Sequence, residues 1–264
     1  MQISSFFRAA AALLFLYFGL VPLAQAQSDQ LNLEGGFGTR LEDAYATAYR
    51  NRELQLPVTY RRSRDGKNVV QYMPTLEIGP FRNSQFSVGV PLYSGNGERT
   101  GSGNVVVDGF YNFNTEGLFV PAMAVVGEVT LPTGLDSHGT DFSGSFILTK
   151  SLFGPAGLHR LHGNAVYRRN NQPRTTIEGG ELMTEREDRW TLLVGYSGRI
   201  LPQSTLIVDF VREQLPLRGK YGSSIEAGIR RQMNPRLVLS FGGAAGLGTD
   251  ADKFRGNLAL QQAF

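Results

Sequence analysis

Apolar and polar side chains alternate along the last twelve residues of the chain, Lys253–Phe264. One parity carries Phe254, Leu258, Leu260 and Phe264, and the other carries Arg255, Asn257 and Gln261. Successive side chains of a strand point to opposite faces, so this stretch predicts a strand with one apolar and one polar face. A strand of about 9–11 residues with this alternation is the unit of a transmembrane β-barrel, whose apolar face meets lipid.

The same alternation recurs in eleven earlier segments of the chain. These segments are Glu53–Ser63, Val69–Phe81, Phe86–Tyr93, Asn104–Asn114, Leu118–Leu131, Phe142–Phe153, Leu158–Arg169, Arg189–Leu201, Thr205–Leu215, Tyr221–Met233 and Arg236–Gly248. The pattern predicts an all-β fold, a transmembrane antiparallel up-and-down β-barrel of about twelve strands. An even number of strands leaves both termini of the chain on the same side of the membrane, which we expect to be the periplasmic side.

Short and long connections alternate between the predicted strands. Arg82-Asn83-Ser84 and Pro202-Gln203 have tight-turn compositions, whereas Ser94–Gly103 and Asn170–Asp188 are long and polar. Outer-membrane barrels show this alternation, with short periplasmic turns and longer outer loops. A soluble β-sandwich is the alternative, because it also has many short strands, but it has less reason to alternate loop lengths.

The beginning of the chain has the pattern of a secretory signal peptide. Arg8 precedes an apolar run from Ala9 to Leu23, and a small-x-small site ends at Ala26. The run is short for a membrane anchor, which needs about 20 apolar residues. We therefore expect residues 1–26 to be a signal peptide cleaved after Ala26, residues 27–52 to be an N-terminal extension or a plug, and residues 53–264 to form the barrel.

Composition excludes several kinds of site. The chain of 264 residues has no cysteine, which excludes disulfides, a thiol nucleophile and thiolate metal sites. The net charge of +3, without a basic patch, argues against nucleic acid as a partner. The glycines from Gly35 to Gly38 have no preceding strand and no following Lys-Ser/Thr, so they do not predict a phosphate-binding loop. No His/Asp/Glu spacing fits a metal site, and no cofactor is expected.

Several stretches resemble one outer-membrane family. They are Thr39–Ala44, Pro74–Gly79, Leu131-Pro132-Thr133-Gly134, Gly242–Gly248 and Phe254–Leu260. Together they resemble the family named for the meta-pathway of phenol degradation, whose members are described as transporters. The resemblance implies a barrel in the bacterial outer membrane, surrounded by lipid and lipopolysaccharide, that passes small solutes, including aromatic or other hydrophobic ones. It also implies that Phe264 is recognised by the barrel-assembly machinery, and it carries over no catalytic motif.

The polar face of the predicted strands carries the candidate pore-lining residues. They are Glu77, Asp108, Glu128, Arg160, His162, Arg168, Arg199, Asp209, Glu226, Arg230 and Arg255. Charges on this parity indicate an aqueous or paired interior, because an Arg or Lys facing lipid costs about 2–4 kcal/mol at the midplane. One hypothesis is a narrow polar pathway that selects small solutes. The alternative is a structural or receptor-like barrel whose lumen is closed by ion pairs.

An outer-membrane lipid hydrolase is a third, weaker hypothesis. Ser137 and His138 lie together in a predicted outer loop. Neighbouring strand residues point apart, however, and nothing places a nucleophile, a base and an orienting group together, so we expect no enzyme activity. The loop Asn170–Asp188 is rich in charge and is interpreted as a solvated loop, with a gate or a lipopolysaccharide contact as the alternative.

Overall fold

The computed structural model describes residues 29–97, 100–135, 137, 139–154, 157–178 and 181–264. The predicted signal peptide and its cleavage site at Ala26 lie outside the described residues. Within the described ranges, no helix has the length and the apolar character needed to cross a membrane.

In these ranges the chain forms strands that we number in chain order. They are β1 (Arg52–Arg62), β2 (Asn68–Tyr72), β3 (Thr75–Ile78), β4 (Ser84–Gly89), β5 (Leu92–Gly95), β6 (Gly101–Ser102), β7 (Val105–Asn112), β8 (Ala122–Leu131), β9 (Asp141–Ser151), β10 (His159–Arg169), β11 (Thr175–Glu178), β12 (Glu181–Thr184), β13 (Asp188–Leu201), β14 (Ser204–Gln214), β15 (Tyr221–Asn234), β16 (Leu237–Leu247) and β17 (Phe254–Ala263).

The strands form a closed antiparallel barrel, which confirms the predicted fold. Neighbours in the chain pair in order around the barrel, and β1 pairs with β17 to close it, from Glu53 opposite Ala263 to Arg62 opposite Phe254. The segments β2 and β3 act as one barrel strand, as do β4 and β5, so the barrel has twelve strands. Closure leaves no strand edge exposed to lipid, where unpaired backbone groups are costly.

Three details differ from the sequence-based expectation. The second and third barrel strands are interrupted at Pro74 and Pro91, because proline has no N–H to donate to the strand ladder. Strand β8 begins at Ala122, just after Pro121, so the apolar residues from Leu118 to Val120 belong to a turn and not to the strand. The long loop before β13 contains a short hairpin, β11–β12, in which Thr175 pairs with Thr184.

The outer surface of the barrel is apolar around its whole circumference. Outward side chains are exposed to the surroundings of the barrel: Leu76, Phe86, Val125, Phe146, Leu192, Val208, Ile225, Phe241 and Leu258. Leu258 has 59% of its surface exposed, whereas its neighbours Asn257 and Ala259 are buried. This surface suits lipid, as predicted for a transmembrane barrel.

The two ends of the barrel have different connections. One end, called the turn end, has connections at residues 79–83, 113–121, 152–158, 202–203 and 235–236, of which the last two have only two residues each. The other end, called the loop end, has connections at residues 63–67, 96–104, 132–140, 170–187, 215–220 and 248–253. The chain enters β1 and leaves β17 at the turn end. In outer-membrane barrels the end with short turns faces the periplasm.

Candidate functional site: the lumen

Residues 29–51, called the lumen segment, lie inside the barrel. Near its beginning, the Gln30 side chain donates a hydrogen bond of 3.4 Å to the turn between β13 and β14 at the turn end. Further along, the Arg40 side chain contacts β14 and β15 in the halves of these strands that lie nearer the loop end. The Arg50 N–H then donates to the carbonyl of Gly79, again at the turn end, over 2.7 Å. The segment therefore rises from the turn end to a tip at Arg40 and returns to begin β1.

Glycines allow the backbone of the lumen segment to touch the barrel wall. Gly38 has a φ of 93°, which favours glycine. A Cβ atom built on Gly228 of β15 would lie 2.8 Å from the Cα atom of Gly38, and one built on Gly242 of β16 would overlap the Gly38 carbonyl. The Asn257 side chain donates to that carbonyl over 3.2 Å. The wall here accepts the segment only because it carries no side chain at either position.

Arg40 fastens the tip of the lumen segment to two wall carboxylates. Its Nε donates to Glu226 over 2.9 Å, and its backbone N–H donates to the other oxygen of Glu226 over 3.1 Å. Its Nη1 donates to both oxygens of Glu213 over 2.9 Å. Glu226 is fully buried and also forms an ion pair with Arg255 of β17. The buried charge of Glu226 is thus shared between one arginine of the segment and one of the wall.

The returning limb of the lumen segment is held mainly by β9 and β10. Asp43 forms an ion pair with Arg160 at 3.5 Å. The Ala44 N–H donates to Thr149 Oγ1 over 2.9 Å, and the same oxygen lies 3.0 Å from Nδ1 of the buried His162. These contacts bind backbone and side chains of the segment to polar groups of the wall.

Apolar contacts between the segment and the wall supply the packed interior of the barrel. One buried cluster joins two residues of the segment to β13 and β14, and its members are Leu33, Leu41, Leu193, Ile207 and Val211. A second cluster joins Ala44 to β7, β8 and β9, and its members are Ala44, Phe110, Ala122, Ala124 and Ile147. Burial of apolar surface therefore adds to the polar contacts that hold the segment in place.

Three carboxylates lie close together where the lumen segment passes the ends of β1 and β3 that are nearest the turn end. Ligand oxygens of Glu34, Glu53 and Glu77 lie within 4.8 Å of one another, a spacing at which they could hold a metal ion together. Amide N–H groups already donate to these oxygens: Gln55 bonds Glu34 and Glu77, and Gln261 bonds Glu34 and Glu53. The arrangement is a hydrogen-bonded network in which burial, and then the charge of Glu53, raises the pKa of Glu34.

A small cavity beside this network, called the acidic pocket, is lined by carboxylates. Its volume is about 170 Å³. Among the described residues that line it there is no lysine, arginine or histidine, and the acids are Glu34, Glu42, Asp43, Glu77, Asp108 and Glu128. Burial, and then the charges of Asp108 and Glu128, raises the pKa of Glu42 to about 7. Burial likewise raises the pKa of Asp43 to about 7, although the charge of Arg160 opposes the shift.

A larger cavity, called the vestibule, lies between the tip of the lumen segment and the loop end. Its volume is about 890 Å³, and Gly36 and Arg40 of the segment form part of its lining. Six arginines line it: Arg40, Arg61, Arg168, Arg174, Arg189 and Arg255. Its acids are three, Glu128, Asp141 and Glu185. The vestibule is therefore basic, in contrast to the acidic pocket.

The structure distributes the sequence-predicted pore-lining residues among these features. Contacts with the lumen segment or its hydrogen-bonded network are made by Glu77, Arg160, Glu226 and Arg230, and Asp209 is buried beside Leu41. His162 lies behind Thr149 in the wall. Asp108 accepts a hydrogen bond from Ser87 and lines the acidic pocket. Glu128, Arg168 and Arg255 line the vestibule. Arg199 is exposed near the turn end, at the irregular end of β13, apart from the others.

Sequence reasoning missed the wall residues Glu53, Arg61, Arg189 and Glu213, although each shares the inward parity of its strand. Continuing the alternation to the ends of the strands would have found them. The charges of the lumen segment, such as Arg40 and Glu42, carry no such signal, because the segment has no regular period. His138 of the hydrolase hypothesis lies outside the described residues, while Ser137 lines the vestibule.

Comparison with known proteins places the fold among outer-membrane channels. No protein-family model matches the chain, and no curated protein matches it. Among solved structures, an outer membrane channel from Pseudomonas putida F1 matches with a TM-score of 0.61 and 11% identity, covering 84% of this chain and 98% of that one. The NanC porin matches with a TM-score of 0.54 and 12% identity, covering 79% of this chain and 98% of the porin. The KdgM porin matches with a TM-score of 0.53 and 9% identity, covering 80% and 99%. The chain thus has the closed-barrel fold of outer-membrane channels and porins.

Proposed function

We propose that this protein is a passive channel for small solutes in the bacterial outer membrane, and that its lumen segment is a plug. The observation that carries the proposal is the division of the lumen. The segment fills the half near the turn end, and a polar cavity of about 890 Å³ occupies the half near the loop end. Solutes entering from the loop end meet the tip of the plug at Arg40.

The kind of contact that holds the plug in the lumen supports the proposal that the plug can leave it. Much of the contact with the wall is polar, through Arg40, Asp43 and Ala44, and water can replace such hydrogen bonds when the segment leaves. The segment forms no strand within the barrel sheet, so the barrel ladder closes without it. The alternative is a structural or receptor-like barrel in which the segment never leaves the lumen.

The surface and termini support the cellular setting of the proposal. The apolar outer surface requires a lipid environment, and lipopolysaccharide would surround the loop end in an outer membrane. The signal peptide predicted at residues 1–26 would supply export. Phe264 ends the chain beside β1, where its N–H donates to the carbonyl of Arg52 over 2.9 Å. Within the proposal, Phe264 is the residue through which the barrel-assembly machinery recognises the chain, and its deletion lowers the yield of folded barrel.

The vestibule lining bears on the kind of solute. It combines apolar side chains, among them Met73, Tyr93 and Leu135, with charged ones. Small solutes with a hydrophobic or aromatic part, as the family resemblance implies, would contact the apolar patches.

Liposome swelling with the purified barrel tests the channel. We expect liposomes that contain the protein to swell in solutions of small sugars and amino acids faster than empty liposomes. Heat-modifiable migration on a gel verifies that the protein is folded. Absence of swelling, both for the native chain and for a variant designed to displace the plug (Gly228→Ala), would overturn the channel in favour of a closed structural barrel.

A further inference from the structure

Arginines face each other across the strand ladder at two places in the vestibule. Arg61 of β1 lies directly opposite Arg255 of β17, and Arg168 of β10 lies directly opposite Arg189 of β13. All four side chains line the vestibule. Like charges directly opposite each other on one face of a sheet are destabilising. Two such pairs around one cavity require a compensating interaction.

The two pairs lie on nearly opposite sides of the lumen. Between the β1–β17 junction and the β10–β13 junction there are five barrel strands on one side and seven on the other. The vestibule therefore has arginines on each side, and Arg40, which is paired with Glu226 and Glu213, lies at its floor. A solute in the cavity lies between these charges.

The acids of the vestibule compensate the arginines only in part. Glu128 pairs with Arg168 at 3.4 Å. Glu226 of β15 pairs with both Arg255 and Arg40, and Glu213 of β14 pairs with Arg40. Asp141 accepts a hydrogen bond from the N–H of Asn171, and Glu185 accepts one from the N–H of Arg174, so both also support loop backbone. The lining nevertheless holds twice as many arginines as carboxylates, six against three. The cavity thus presents a positively charged lining to a solute.

We propose that the vestibule binds small organic anions that carry carboxylate groups, and that these are the preferred solutes of the channel. The guanidinium group presents paired donors that match the two oxygens of a carboxylate. A volume of about 890 Å³ is within the range of ligand sites, about 300–1,000 Å³. The apolar residues of the lining contact the carbon skeleton of the solute. As a statement about transport, this inference rests on the proposed channel function, but binding can be measured without transport.

Calorimetric titration of the folded barrel tests the site directly. The probes are succinate, its neutral diamide succinamide, and inorganic phosphate. Variants Arg61→Gln and Arg189→Gln each remove one charge from one pair, and Arg212→Gln removes an exposed charge from the outward face of β14 as a matched control. Heat-modifiable migration verifies that each variant is folded.

We expect succinate to bind at least about tenfold more tightly than succinamide, because hydrogen bonds from arginine to a charged carboxylate are stronger than those to a neutral amide. Arg61→Gln and Arg189→Gln should each weaken succinate binding about tenfold, and Arg212→Gln should change it less than twofold. Equal affinities for succinate and succinamide, or insensitivity to both vestibule variants, overturn the inference. If phosphate binds as tightly as succinate, the claim that the site prefers organic anions is overturned.

Bilayer recordings separate this inference from the channel function. Under a salt gradient, an open channel with this vestibule should prefer chloride to potassium, and Arg61→Gln with Arg189→Gln should reduce that preference. Succinate binding in a barrel that conducts nothing contradicts the channel and leaves the site standing. Conductance without any preference for anions contradicts the inference and leaves the channel standing.

Discussion

The acidic pocket and the vestibule differ in size and in the charge of the residues that line them. The acidic pocket, of about 170 Å³, is lined by carboxylates from both the plug and the wall. The vestibule, of about 890 Å³, is lined by six arginines, of which four belong to barrel strands, one, Arg174, to the loop after β10, and one, Arg40, to the plug. The lumen therefore has an acidic half near the turn end and a basic half near the loop end.

This difference indicates that the two halves of the lumen have different roles: the acidic half holds the plug, and the basic half receives the solute. In the acidic half, raised pKa values allow carboxyl groups of the plug to keep protons near neutral pH, so that they pack beside wall acids. In the basic half, the arginines surround a cavity that is large enough for a small solute. Arg40 stands at the boundary, where it contacts Glu226 and Glu213 and also lines the vestibule.

Displacing the plug by a steric clash should have the largest effect on the ratio of open to closed channels. In Gly228→Ala, the three nearest atoms to the new Cβ all belong to Gly38, at 2.8–3.1 Å. Overpacking of this kind costs about 1–3 kcal/mol, which corresponds to about a 5- to 150-fold increase in the ratio of open to closed channels. Single-channel recording in planar bilayers measures this ratio.

The matched control is Gly127→Ala, in which the new Cβ has no atom within 4 Å. It should conduct as the native chain does. If Gly228→Ala also leaves the open fraction unchanged while the barrel is folded, the acidic half is not closed by contact at Gly38.

Removing the tip contact should have the next largest effect. Arg40→Ala deletes the ion pairs with Glu226 and Glu213. Arg40 is partly exposed to the vestibule, so the loss is at most about 2 kcal/mol, and we expect an increase of about tenfold in the open fraction. Arg212→Ala, on the outward face, serves as the control in the same recordings. A lower open fraction for Arg40→Ala would show that Arg40 does not hold the plug closed.

Raising the pH should open the channel by a smaller factor. The docked pKa values of Glu42 and Asp43 are about 7, above their ordinary values of 4.5 and 3.8. Carboxyl groups with raised pKa values stabilise the docked state at low pH, and that stability is lost as the pH rises through about 7. We expect the open fraction to rise several-fold between about pH 5 and about pH 8.

The variant Glu42→Gln should flatten this pH dependence, because it removes the group that faces Asp108 and Glu128. An open fraction that falls with rising pH in the native chain would contradict the sign of the effect and with it the role of the acidic pocket.

Loss of a single hydrogen bond at the base of the plug should have the smallest effect. The Tyr45 hydroxyl donates to Glu116 over 2.9 Å in the turn before β8. Burial opposes ionisation of Glu116, but hydrogen bonds from Lys150, Ser151 and Tyr45 lower its pKa to about 2, so it is charged at neutral pH. Tyr45→Phe removes about 1 kcal/mol and should raise the open fraction by up to about fivefold. If Tyr45→Phe raised the open fraction as much as Gly228→Ala does, the main contact between the plug and the wall would lie at the base of the plug.

The barrel could be predicted from the sequence because its strands obey a period of two. The inward parity of Glu77, Asp209 and Glu226 follows from their apolar neighbours, and all three are buried in the structure. The interruptions at Pro74 and Pro91 have a local cause, which the alternation of side chains conceals because it continues on both sides of each proline.

The path of residues 29–51 could not be predicted from the same pattern. Gly35 to Gly38 predicted no specific structure, but Gly38 contacts Gly228 and Gly242, which are far away in the chain and have no local requirement for glycine. The acidic pocket and the vestibule depend on the course of this segment, which contributes residues to the lining of both. Local periodicity carries no information about such a course.

Crosslinking the plug to the wall tests most directly whether the lumen segment must move for solutes to pass. Leu41 of the plug and Leu193 of β13 lie in one buried cluster, and the chain has no cysteine of its own. The variant Leu41→Cys with Leu193→Cys, treated with a short reducible thiol crosslinker, can be recorded before and after reduction, with the two single variants as controls. The account predicts that the crosslinked barrel is silent and that reduction restores conductance. Equal conductance in the crosslinked and reduced states would contradict it.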